Sequence, residues 1–242
     1  MKKRVLIIGE SCRDIFVYCN AHRLCPDAPV PVLNVINQQE NGGMAKNVQR
    51  NIEQYIECDI ITNYNWYNIT KTRYVHDQSN HMFFRVDSND KIERIDLSKI
   101  NYDYDIIVIS DYNKGFLTES DIQSISAKHD NVFVDTKKIL GNWIKDCKFI
   151  KINDFEFNKS KDFITDEFSH KIIHTMGGDG CEFNGKKYKV DRVEVKDTSG
   201  AGDSFMSSLV IEFLKSGDIH KSIIFANKCA SEVVKHRGVT II

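Results

Sequence analysis

The sequence predicts an α/β protein: a doubly wound, mostly parallel sheet with helices on both faces, plus a small β-sheet beside it. Three observations lead there. From residue 105 onward, short apolar runs alternate with longer polar segments, the rhythm of strand, crossover and strand. Around residues 12–42 and again at about 68–90, β-like runs lack helical periodicity, and all three prolines fall at 26, 29 and 31. Near the end of the chain, Gly200-Ala201-Gly202 feeds a stretch whose apolar residues (Phe205, Met206, Leu209, Val210, Phe213, Leu214) form one helical stripe.

A length of 242 residues suits a single domain, 1–242, and 41% apolar residues suffice for a core. Lysine plus arginine number 33 against 34 acidic residues, so no global field points to nucleic acid or an anionic membrane. The apolar run Val5–Gly9 follows Lys2-Lys3-Arg4 but is too short for a signal peptide, and no run has the length of a membrane span. The seven cysteines include no Cys-x-x-Cys pair and are odd in number, which fits free thiols in a reducing cytoplasm.

Taken in order, Val5–Gly9 reads as a buried parallel strand. Ligands collect beyond the carboxyl ends of such strands, so Asp14 is placed to meet one, although a structural turn is the plainer reading. Gly42-Gly43 opens a helix to about Tyr55 and lets backbone approach a ligand, while Asn47 can address hydroxyls as donor and acceptor. Between that helix and Thr70 there is little more than Asp59–Thr62. Thr70–Val75 and Met82–Asp87 read as a hairpin, with Arg73 and Arg85 on one face to meet a phosphate or merely to face solvent. Strands follow at 105–110, 132–135, 148–153 and 171–175, then a hairpin turning at Asn184-Gly185, and a last helix at 219–235.

The Gly-Ala-Gly turn leaves the first amides of its helix aimed at one point, where the helix dipole adds positive charge. Asp203 stands at the mouth of that anion site. A helix cap is the simple explanation, but a carboxylate base beside an anion hole is what phosphoryl transfer to a hydroxyl requires.

The run Asp197-Thr-Ser-Gly-Ala-Gly-Asp-Ser-Phe205 resembles the signature of the ribokinase-like, phosphofructokinase-B type carbohydrate kinases, and further stretches resemble the family in its order. The resemblance implies ATP and Mg²⁺ as cofactors and a sugar or sugar phosphate as acceptor. It makes Asp203 the catalytic base and the amides of Gly200, Ala201 and Gly202 the anion hole. Asp14, Gly42, Gly43, Asn47, Arg73, Arg85, Asp111 and Lys114 would bind the substrate. Asn153, Glu156, Thr175, Gly177, Gly180 and Asn227 would serve the nucleotide, with Glu156 holding magnesium through water. The two β segments would form a lid over the sugar. Leu24–Val32 resembles a stretch of the heptose 7-phosphate kinase branch, which favours a heptose 7-phosphate phosphorylated at its anomeric hydroxyl.

Relatives usually carry a further strand and helix in the short region 56–69, so the acceptor pocket is expected to be more open or completed by a second subunit. An open lid edge would favour a homodimer. The chain stops soon after Gly238, and no fused nucleotidyltransferase domain is expected. The alternatives are another sugar phosphate or a nucleoside as acceptor, or a non-catalytic module that only holds nucleotide or sugar.

Overall fold

The computed structural model describes residues 2–88 and 91–241. Residues 89 and 90, which close the second expected lid segment, and the two terminal residues lie outside the described residues. The large sheet has the strand order β12-β11-β10-β9-β8-β7-β1-β4. Its parallel part comprises β1 (Arg4–Gly9), β4 (Glu57–Ile61), β7 (Ile106–Asp111), β8 (Val132–Thr136), β9 (Phe149–Asn153) and β10 (Ile172–Thr175). The antiparallel hairpin β11 (Cys181–Phe183) and β12 (Lys186–Tyr188) extends one edge.

Alternation along the strands builds two cores. Val5 and Ile7 point to the face covered by α1 (Gly43–Ile52), α4 (Ala201–Ser216) and α5 (Ile219–Val233), where they join Val48, Ile52, Leu209, Val210 and Ile223. Leu6 and Ile8 point the other way, toward Ile122 and Ile125 of α2 (Glu119–Ser126) and Ile144 and Phe168. Burial on both faces explains why these strands read as continuous apolar runs.

A second sheet of four strands has the order β3-β2-β5-β6, formed by β2 (Arg13–Leu24), β3 (Pro31–Asn41), β5 (Thr70–His76) and β6 (Met82–Asp87). The strands β2 and β5 run parallel, with β3 and β6 antiparallel on the outside. The expected fold class, with its small second sheet, is therefore the observed one.

Three local expectations need correction. The segment between β8 and β9 carries only a three-residue 3₁₀ turn, Asn142–Ile144, instead of a crossover helix. Its first residues are tied down: Lys137 and Lys138 pair with Glu156 and Asp111, and the Leu140 amide donates to Ser160 at 3.1 Å. The region after α1 is also more regular than its brevity suggested, since Glu57–Ile61 is a full strand alongside β1. The helix α1 itself ends at Ile52, earlier than the expected Tyr55.

Candidate active site

The strands β1, β7, β8 and β9 end on one side of the large sheet, and the polar residues at their ends face the start of α4. The first residue of that turn, Gly200, has φ +78°, and a Cβ there would lie 3.0 Å from the Asn47 amide nitrogen. Glycine is thus required by both conformation and space. Gly200 serves as the N-cap of α4 without a side-chain cap, and Asp203 is the third helical residue. Its carboxylate does not cap the helix. One oxygen accepts from the Asn47 side-chain amide at 2.7 Å, the other from the Tyr112 hydroxyl at 3.0 Å.

Asp203 is buried at 6% exposure. Burial pushes its pKa above the usual aspartate range and Asp135 adds to the rise, while Asn47, Lys151 and Tyr112 oppose it. The hydroxyl of Tyr112 is held well above its usual value, first by burial and then by the Asp203 charge, so it remains a donor.

Asp203, Tyr112 and Gly200 form the partition between two cavities. The smaller, of about 220 Å³, lies between the small sheet and α1. Among its lining residues are Asp14, Gly43, Asn47, Arg73, Arg85 and Lys114, and also Lys71, which sequence reasoning missed. Arg73 and Arg85 are direct cross-strand partners in the β5–β6 register. Arg73 pairs with Asp14, and Arg85 with Asp87 at 2.6 Å. Burial and the adjacent Arg85 both lower the Arg73 pKa. The side-chain oxygen of Asn47 is buried and unpaired in this wall. Gly42 adjoins the cavity as the N-cap of α1.

The larger cavity, of about 870 Å³, includes in its lining Asn153, Thr175, Gly177, Gly180, Gly202 and Asn227. The side-chain amide of Asn227 donates to the Tyr188 carbonyl at 2.9 Å. Of the anion-hole amides, that of Ala201 donates to the Thr198 carbonyl at 3.2 Å. A Cβ on Gly202 would lie 2.9 Å from the Lys151 ammonium, which sits over the helix N-terminus and pairs with Asp135 at 2.7 Å. A cation parked at the positive end of a helix marks a place for an anion.

Three predicted residues, Gly42, Asp111 and Glu156, are not among those lining either cavity. Asp111 is buried beneath the Tyr112–Gly115 loop, bonded to Thr136, the Asn113 amide and Lys138. Glu156 closes a reciprocal capping box with Asn153 at the start of α3 (Asp154–Ser160) and pairs with Lys137. Lys137 also reaches Asp135 at 3.6 Å; burial would lower its pKa, but the Asp135 and Glu156 charges raise it overall. Neither Lys137 nor Lys151 was singled out from sequence, although a lysine inside the apolar strand Phe149–Asn153 is itself a signal.

Comparison with known proteins bears on the family and the fold. The chain is 27% identical over 292 aligned positions to the bifunctional protein HldE of a Nitratiruptor species, covering 98% of this chain and 63% of that one. It is 26% identical to the bifunctional protein HldE of Helicobacter pylori (strain J99), covering 98% and 64%. It thus spans less than two thirds of these curated relatives, and alignments longer than its own 242 residues show that they carry segments with no counterpart here. Among solved structures, Thermotoga maritima ribokinase superposes with a TM-score of 0.73 at 16% identity, covering 99% of this chain and 95% of that one. Escherichia coli phosphofructokinase-2 gives 0.70 at 12% identity, covering 100% and 95%. The family model for pfkB family carbohydrate kinases matches residues 70–242. The chain belongs to the pfkB family of carbohydrate kinases, phosphotransferases that act on alcohol groups.

Proposed function

We propose that this kinase transfers the γ-phosphoryl group of ATP to the anomeric hydroxyl of a heptose 7-phosphate or a close relative. The observation that carries the reading is the place of Asp203, a buried carboxylate in the partition between a small cation-lined cavity and a larger one floored by a helix N-terminus. The sugar phosphate would occupy the first and ATP the second, so the acceptor oxygen and the γ-phosphorus would meet at Asp203.

Each side chain then has a task. Asp203 accepts the hydroxyl proton as the oxygen attacks. Asn47 donates to Asp203 and keeps its unpaired oxygen for a sugar hydroxyl. Arg73, Arg85, Lys71 and Lys114 would hold the existing phosphate, which would also separate the two guanidinium groups. The amide of Gly202, with Lys151, would stabilise charge on the transferring phosphoryl group. The small sheet would act as a lid that keeps water from the phosphoryl group. Its outer strands β3 and β6 would offer an edge to a second copy in a homodimer.

The residues present fit Mg²⁺. Asp135 and Glu156 are buried carboxylates held together by the Lys137 ammonium, and one oxygen of Asp135 lacks a hydrogen-bond partner. One or two such carboxylates with retained waters are ordinary for this ion. When bound, it would neutralise charge on the ATP phosphates.

The heptose assignment rests on the resemblance of Leu24–Val32, which lies at the exposed tip of the β2–β3 hairpin and lines neither cavity. That stretch marks a branch of the family. It does not build the pocket. The test is ADP release by wild type and Asp203→Asn over a panel of heptose, hexose and pentose sugars and their phosphates, with Mg²⁺ and ATP. Turnover strongest with a heptose 7-phosphate, reduced about 10²-fold or more in the variant, supports the reading. Strongest turnover with another acceptor would replace the substrate, and no turnover with any would leave a binding module.

A further inference from the structure

We propose that Glu10 is a positioning residue for the base, its carboxylate fixing the loop from which the Tyr112 hydroxyl donates to Asp203. The inference rests on Asp203 as the base. Glu10 directly follows β1 and is fully buried. Its main-chain carbonyl accepts from the Ala45 amide at 2.9 Å, in the first turn of the helix that carries Asn47. Its carboxylate accepts from the amides of Tyr112 at 2.8 Å, Lys114 at 2.9 Å and Phe116 at 3.4 Å. Asn47 and Tyr112 are the two donors to Asp203. One residue therefore ties together the two separate elements on which the base depends.

The choice of side chain is costly for packing alone. Burial and the neighbouring Asp111 raise the Glu10 pKa, and only the amide bonds oppose them. An apolar residue would fill the space without burying a charge, but it would leave three amides of the loop without this acceptor. A glutamine would turn a donor toward them. The loop gains a fixed shape from Glu10, and that shape places the Tyr112 hydroxyl on Asp203 and Lys114 at the mouth of the small cavity.

The test follows Asp203 by ¹³C-carboxyl NMR titration, its resonance assigned by its absence in Asp203→Asn. The variants are Glu10→Gln, Glu10→Asp, Tyr112→Phe and the double variant Glu10→Gln/Tyr112→Phe, each checked for folding by circular dichroism and melting. Besides Tyr112 and Asn47, the charges of Asp135, Lys151 and Lys137 act on Asp203 and are unchanged in all four. Loss of the Tyr112 bond shifts the Asp203 titration upward. Glu10→Gln should shift it the same way, Glu10→Asp by less, and the double variant no further than the larger single shift. A folded Glu10→Gln protein that titrates as wild type overturns the proposal, as does full additivity in the double variant. Failure of both Glu10 variants to fold would assign Glu10 to the core and overturn it too. The titration needs no substrate, so an error in the acceptor or in the kinase reading would appear in ADP release and leave this result standing.

Discussion

A general base at Asp203 must be ionised before it can take a proton, and its surroundings work against that. Burial raises its pKa, and the bonds from Asn47 and Tyr112 hold the rise in check. Activity should therefore rise with pH through a pKa above the ordinary aspartate value, because the protonated form is inactive. Tyr112→Phe removes a donor that favours the charged form, so the acid limb of its kcat/KM profile should move to higher pH. An unmoved limb would mean that another group controls it. Asp203 was visible in sequence because its neighbours are small and regularly placed. Tyr112 was passed over between Asp111 and Lys114, since nothing local says that a tyrosine after a strand will reach a helix 91 residues away. Lys71 and Lys137 were missed for the same reason: a surface-like lysine becomes a site residue only through tertiary packing.

The turn into α4 is the element that the two cavities share, and its glycines act differently. Gly200 is fixed by a left-handed backbone, whereas Gly202 is helical and limited by space alone. Alanine at 202 should thus favour the helix, by roughly 1 kcal/mol in intrinsic propensity. Its methyl group would occupy the position 2.9 Å from the Lys151 ammonium, which is buried and held by Asp135 and cannot move without breaking that pair. Gly202→Ala should lower the melting temperature, because displacing the buried Lys151 from Asp135 outweighs the helix gain, and should weaken ATP binding about tenfold, the loss of roughly one charge-assisted hydrogen bond. Calorimetric titration with ATP checks it, and unchanged affinity would remove Lys151 from the phosphate site. At this scale the sequence was most legible where burial is two-sided, in β1, β7, β8 and β9, whose apolar runs leave no alternative period. It was least legible between β8 and β9, where ties from the Lys137 and Lys138 side chains and the Leu140 amide displace the helix that segment length alone suggests.

At the scale of the whole molecule, the two sheets must stay in register for the small cavity to exist, and the C-terminal segment helps to hold them. The Arg237 guanidinium donates to the carbonyls of Asp77 and Gln78 in the turn between β5 and β6. The next residue, Gly238, donates its amide to Asp197 at 3.0 Å, and Asp197 also accepts from the Ser199 amide at 2.8 Å, just before the α4 turn. Val239 then packs against Phe16, Tyr18 and Val75 of the small sheet and lines the small cavity. A second tie runs from the Asn80 side chain to the Lys196 carbonyl at 2.7 Å. The segment is thus a strap from the hairpin that carries Arg73 and Arg85 to the loop that precedes Asp203. Arg237→Met keeps much of the side chain's apolar length and removes two charge-assisted bonds, each worth roughly 1.5–3 kcal/mol at most when shielded and less at this exposed site. The global melting temperature should change little, because both cores of the large sheet lie elsewhere. Hydrogen exchange should quicken in β5 and β6, and KM for the acceptor should rise while ATP affinity holds. Unchanged exchange in the hairpin would show that the Asn80 tie and Val239 suffice, and that Arg237 does not set the position of the two arginines.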